Sequence, residues 1–256
     1  VVPRRHIVIP DTQVKPGVDT AHLDWAARAI VEYKPDVIVH LGDHWDLPSL
    51  STHDSPGSKE AVGRNVKSDI DAGNEAWLRL WEPIEREMIR LRLNKRKQWD
   101  PECYRLDGNH ENRMTRAIYN DPRFDGVLSL DSLKSPGFTT VPYLKIISID
   151  DIRYCHKFVN PHSGKGIGGT ITNRLGKIGG SFIQGHEQGM LYAIQQYPDH
   201  VCHGLVAGSF YLHNETYRPG DVQNSEWRGI VLLNEVDEGN YDICPLSMDY
   251  LRRTFG

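Results

Sequence analysis

The chain has 256 residues, 39% hydrophobic and 25% charged, with 30 Lys and Arg against 34 Asp and Glu for a formal net charge of −4. That balance allows a packed core and excludes a disordered or low-complexity chain. The slightly acidic sum gives no bulk attraction for nucleic acid, leaving only local patches to supply one. No apolar run approaches the ~20 residues of a membrane helix, so no membrane partner is expected. Cys103, Cys155, Cys202 and Cys244 form no C-x-x-C pair, a pattern expected of free thiols in a reducing, cytoplasmic setting. The opening Val1-Val2-Pro3-Arg4-Arg5 is too short for a secretory leader. One domain is expected over residues 1–256, with a helical insertion at about 61–97. Oligomeric state is not legible.

His6–Pro10 reads as a buried strand ending in Asp11-Thr12-Gln13. Residues 14–19 form a loop around Pro16-Gly17. Thr20 is placed to cap a helix with Leu23, Ala26, Ala27, Ile30 and Val31 on one face. That helix should stop before Lys34-Pro35, because the residue before proline is pushed out of the helical region. Val37–Leu41 is the next strand, followed by Gly42-Asp43-His44-Trp45-Asp46. A β-helix-β opening predicts a parallel pair with a right-handed crossover. Asp11 and Asp43 then lie side by side at the carboxyl edge, where open α/β sheets bind ligands.

Residues 47–60 read as a loop. About residues 61–97 read as helical, with Val66, Ile70, Trp77, Leu80, Trp81, Ile84, Met88 and Leu91 spaced by three and four, and Pro83 kinking the helix or starting a second one. The basic end, Arg90 to Lys97, is either a solvated helix terminus or a phosphate-backbone contact. Cys103–Leu106 is a strand entering the turn Gly108-Asn109-His110-Glu111. A short helix over 112–120 and a loop-rich stretch over 121–140 follow. Leu144–Ile149 and Ile152–His156 form a hairpin around Asp150-Asp151. The glycine-rich run 164–169 lacks the Lys-Ser/Thr pair of a P-loop. Ile171, Leu175 and Ile178 mark a short helix closed by Gly179-Gly180, and Phe182–Gln184 leads to Gly185-His186-Glu187-Gln188. Strands over Val201–Ser209, Gly229–Val236 and Tyr241–Pro245 complete the chain.

Five times, then, a strand-like run ends in residue types that bind metals: Asp11-Thr12-Gln13, Gly42-Asp43-x-x-Asp46, Gly108-Asn109-His110-Glu111, His156, and Gly185-His186-x-Gln188. That order, spanning about residues 6–190, resembles the calcineurin-like metallophosphoesterase superfamily, and within it the variety encoded by phages and prophages. The resemblance implies an α/β fold of two mixed sheets stacked face to face with helices outside, a four-layer α/β/β/α sandwich. It implies a metal-dependent phosphoesterase, and the phage-like arrangement together with the basic helix end favours a phosphodiesterase acting on DNA, RNA or nucleotides, in the host cytoplasm if phage-encoded. A phosphomonoesterase acting on nucleotides or proteins is an alternative, although Leu47-Pro48 after Asp46 departs from the protein-phosphatase pattern. A non-catalytic metal-binding module that keeps the fold is a second.

By motif position the resemblance places Asp11, Gln13, Asp43 and Gln188 around one divalent metal and Asp43, Asn109, His156 and His186 around another, with Asp43 shared. The resemblance also implies that His110 faces the substrate as a proton donor and that Asp46 orients it. Arg113 could clamp a phosphate oxygen, with an ordinary ion-paired arginine as the alternative, and His213 is a candidate for lining the pocket. Gln13 and Gln188 depart from the family, where histidines usually stand. An amide oxygen is a harder, weaker ligand than imidazole, so the first site should be weaker and favour Mn²⁺, with Mg²⁺, Zn²⁺ and Fe as other candidates. His40 and His44 read as packed core residues, and Asp107 as a turn residue.

Overall fold

The computed structural model describes residues 2–52, 63–214 and 226–256. The strands are β1 (Arg4–Ile9), β2 (Val37–His40), β3 (Glu102–Leu106), β4 (Thr139–Val141), β5 (Ile147–Ile149), β6 (Ile152–Cys155), β7 (Phe182–Gln184), β8 (Met190–Gln196), β9 (Val201–Ala207), β10 (Gly229–Asp237) and β11 (Asn240–Ser247). The helices are α1 (Ala21–Tyr33), α2 (Val66–Leu93), α3 (Asn112–Asn120), α4 (Ile171–Ile178) and α5 (Met248–Phe255). One sheet has the order β11-β10-β1-β2-β3-β4 and the other β5-β6-β7-β9-β8. Both are mixed: β1, β2, β3 and β4 pair in parallel while β10 runs antiparallel to β1 and β11. In the second sheet β6, β7 and β9 pair in parallel between antiparallel partners.

The period of two along each strand builds the layers. Ile7, Ile9 and Ile38 point one way, into a core with Leu23, Ala26, Ile30, Trp77, Leu80 and Ile84 from α1 and α2 and Leu251 from α5. Val8, Val37, Val39 and Val231 point the other way, against Ile152, Tyr154, Ile183 and Leu205 of the second sheet. That sheet's far face carries Cys155, Phe182 and Val206 under Ile171 and Leu175 of α4. The result is the α/β/β/α sandwich. Its parallel strands β1, β2 and β3 all end at the same edge, bringing the turns after Ile9, His40 and Leu106 together.

Several local expectations change. Thr20 does not cap α1. Its backbone is not extended, and Asp19 instead accepts from Ala21 N at 2.9 Å while the Thr20 hydroxyl accepts from Arg79. α2 runs through Pro83 as one helix, so no second helix begins there. The stretch 121–140 gives up its last two residues to an edge strand, Thr139–Val141, on β3, and the first arm of the predicted hairpin shrinks to Ile147–Ile149. β8 and α5 are elements beyond those expected from the sequence. Residues 53–60 of the predicted loop, His53 among them, lie outside the described residues.

His22 of α1 is buried edge-on against Phe210 at 4.9 Å. Burial, then the neighbouring His44 and His213, push its imidazole down to about 3. Below the ordinary value of 6.5 the unfolded chain takes up a proton that the folded chain refuses. Stability should therefore fall with pH by about 1.4 kcal/mol per unit for such a group. His22→Phe should flatten the slope between pH 7 and pH 5 in urea unfolding, and an unchanged slope would contradict this.

Candidate metal centre

The turns after β1 and β2 continue the sheet beyond its strands. Gln13 N donates to Asp43 O at 2.8 Å, Val14 N to His44 O at 2.6 Å, and Asp46 N returns to Val14 O at 2.9 Å. Gln13 and Asp43 sit at φ 41° and 51°, a left-handed conformation that costs a side-chain-bearing residue ~1–2 kcal/mol. Such a backbone persists only where its surroundings over-determine it.

Glu111 supplies much of that determination. It is fully buried. Its Oε1 accepts from His44 N at 2.7 Å and Trp45 N at 3.1 Å, and its Oε2 from Asp43 N at 3.0 Å and Gly108 N at 2.7 Å. One carboxylate, with about four lone-pair sites, satisfies four backbone donors from two turns. The turns then touch so closely that a Cβ on Gly108 would lie 2.0 Å from Asp43 Oδ1. In the sequence Glu111 looks like an ordinary acid at a helix start, which hides this role.

Asp43, Asn109, His156 and His186 converge beside this junction. His156 Nδ1 lies 2.9 Å from Leu41 O. A carbonyl only accepts, so Nδ1 carries a hydrogen. Nε2 faces Asn109 Oδ1 at 3.0 Å and Asp43 Oδ2 at 3.5 Å. His186 Nδ1 reaches the same Asn109 oxygen at 2.7 Å. One ligand atom from each of Asp43, His156 and His186 falls within 4.8 Å of the others.

Asp11 lies alongside, its Oδ1 accepting from His186 N at 3.1 Å and its Oδ2 from Gln188 Nε2 at 3.2 Å. Burial, then the Asp43 carboxylate, push Asp11 well above the usual carboxylate range. Asp43 stays below its usual value, because the imidazoles of His110, His156 and His186 outweigh its burial. Two buried acids at close quarters favour a proton or a cation between them. Gln188 Oε1 is shielded and has no hydrogen-bond partner among the described residues, and Gln13, two residues after Asp11 in the chain, is buried. Carboxylate, amide and imidazole donors of this kind fit divalent metal ions. Behind them Arg174 of α4 holds Glu187 with both guanidinium arms, fixing the loop between His186 and Gln188.

His110 stands at the rim. Its Nδ1 lies 2.8 Å from Asp46 Oδ1 and its Nε2 lies 3.1 Å from Arg113 Nη2. Arginine can only donate, so in this arrangement Nε2 is an acceptor. Burial opposes a charged ring, but Asp43 and Asp46 outweigh it and raise His110 above its ordinary value. Arg113 Nη1 also donates to Asp46 O at 2.5 Å. The residue offered by the sequence as a phosphate clamp is thus engaged on the chain's own turn and on His110. His213 stacks on Tyr211 at 4.7 Å. Asp107 is a buried partner of Arg105 at 2.7 Å. Arg90, Arg96 and Lys97 of the basic helix end line a cleft of about 990 Å³ with Arg4, Asp36 and Glu102. Those last three mark the amino ends of β1, β2 and β3, the edge opposite the candidate site.

Glu111→Gln turns one acceptor oxygen into an amide donor facing backbone N–H groups. We expect a loss of ~1–3 kcal/mol in urea unfolding. Unchanged stability would contradict the role given to this carboxylate.

No protein-family model matches the chain. It is 29% identical over 116 residues to the Gene 54 protein of Mycobacterium phage L5, a match taking in 45% of this chain and 39% of that protein's length. Among solved structures it is similar to a conserved protein of Streptococcus pneumoniae TIGR4 described as a predicted phosphoesterase. That similarity has a TM-score of 0.40 and 13% identity, covering 97% of this chain and 92% of the other. Neither similarity assigns a function to this chain.

Proposed function

We propose that the chain is a metallophosphoesterase of the calcineurin-like type, hydrolysing phosphate esters with divalent metal ions. The observation that carries this reading is the convergence of Asp43, Asn109, His156 and His186 next to the His110–Asp46 pair. Asp43, His156, His186 and Asn109 would hold one ion, and Asp11, Gln13, Gln188 and the shared Asp43 a second, weaker one. When bound, such ions lower the pKa of water and draw charge from phosphoryl oxygens. Two aspartates against two divalent ions leave a net positive site, which suits an anionic ester.

The chain's own part is to hold a proton and orient the ester. Asp46 keeps hydrogen on His110 Nδ1, so Nε2 is the atom that exchanges a proton with the leaving oxygen. A proton on Nε2 displaces Arg113 from it, which frees one guanidinium arm toward a phosphoryl oxygen. The finer reading is a phosphodiesterase acting on DNA, RNA or nucleotides, supported by the phage-like motif order and the partial match to a phage protein. The basic helix end, at the opposite edge, adds nothing to it. Gln13 and Gln188 favour one other reading, a metal-binding module without catalysis. The His110–Asp46 pair speaks against that, since a scaffold needs no oriented proton donor.

Metal-stripped protein resupplied with Mn²⁺ should hydrolyse bis-p-nitrophenyl phosphate, and His110→Ala should lower kcat by ~10²–10⁴-fold. Undiminished turnover in His110→Ala would remove the role given to that residue. Silence toward diester, mono-ester and DNA, with metal still bound, would favour the module.

A further inference from the structure

Behind the candidate ligands runs a buried chain of side chains that no part of the proposed chemistry uses. Gly42 N donates to His40 Nδ1 at 3.2 Å. His40 Nε2 lies 3.1 Å from Thr12 Oγ1, and Thr12 Oγ1 lies 2.7 Å from His44 Nδ1. His44 Nε2 lies 3.0 Å from Gly73 O in α2. Thr12, His40 and His44 are each 1% exposed or less.

The two ends of this chain fix its direction. Gly42 N can only donate, so His40 Nδ1 accepts and its hydrogen sits on Nε2. Gly73 O can only accept, so His44 carries its hydrogen on Nε2 and leaves Nδ1 as an acceptor. The Thr12 hydroxyl must then accept from His40 and donate to His44. Every donor meets an acceptor only in that order, and both imidazoles are neutral in it.

Thr12 stands between Asp11 and Gln13, while Gly42 and His44 flank Asp43. We infer that Thr12 is a positioning residue whose hydroxyl, through His40 and His44, locks the two strained ligand turns into the geometry that binds metal. This rests on the metal-centre reading above. A side chain at Thr12 without the hydroxyl leaves an imidazole N–H and an imidazole lone pair buried and unpaired. Gln13 and Asp43, both at positive φ, then lose a shared brace on their core side.

The test uses the full chain stripped of metal. Long-range proton–nitrogen correlation spectra of the wild type should show both His40 and His44 as Nε2–H tautomers, and an Nδ1–H tautomer at either would overturn the proposal. Calorimetric Mn²⁺ titration should show Thr12→Val binding ~10–100-fold more weakly, the range for residues that orient ligands, with Thr12→Ser close to wild type. Should Thr12→Val fail to fold, Thr12→Ala, which removes the same hydroxyl, is titrated in its place. Wild-type Mn²⁺ affinity in the hydroxyl-free variant would overturn the positioning role alone. A wild type that takes up no Mn²⁺ would bring down the metal-centre reading and this role with it.

Discussion

The candidate site depends on one buried carboxylate. Glu111 collects four backbone N–H groups from residues 43–45 and 108, and without it those donors would be buried and unpaired. Each would cost ~1–3 kcal/mol, so the two turns could not lie in contact. With it, Asp43 is held at a φ it would otherwise leave, and Gly108 is pressed so close that only a glycine fits. The oriented N–H groups of two turns meet on this one carboxylate. The space in front of Asp43 is left to the imidazoles.

The sandwich explains why that junction sits where it does. Parallel pairing of β1, β2 and β3 brings three turns to one edge, and the parallel run of β6 and β7 in the second sheet delivers His156 and His186 from the other side. Ligand-type residues from both sheets thus meet across the seam between them. The helices contribute from behind. α2 closes over Trp45, where Gly73 leaves room for the indole, and α4 sends Arg174 to brace Glu187. Gln13, Asp43 and His186, all at positive φ, bring backbone strain to this seam, as a site held by its surroundings can.

Much of this was legible in the sequence because strands announce themselves by runs of Val and Ile, and the residues just past a strand's carboxyl end lie at a sheet edge. Asp11, Asp43, Asn109, His156 and His186 were placed that way. The rest was hidden for physical reasons. β4 is a three-residue edge strand and β8 a half-exposed one, so neither needs an apolar signature. The α1 cap passed from Thr20 to Asp19 because Arg79, distant in sequence, takes the threonine hydroxyl. Glu111 acts on atoms 66 to 68 residues away for three of its four bonds. The bracing chain joins His40 and His44, whose types suggest only core packing, through Thr12, and its direction emerges from the partners at its two ends.

The account stands on Asp43 being shared by bound divalent ions. Its most direct test is a Mn²⁺ titration of metal-stripped wild type and Asp43→Asn followed by electron paramagnetic resonance of free Mn²⁺. The account predicts uptake by the wild type and its loss in Asp43→Asn, with the variant still folded by circular dichroism. A wild type that leaves all Mn²⁺ free, or a variant that binds as the wild type does, would contradict it.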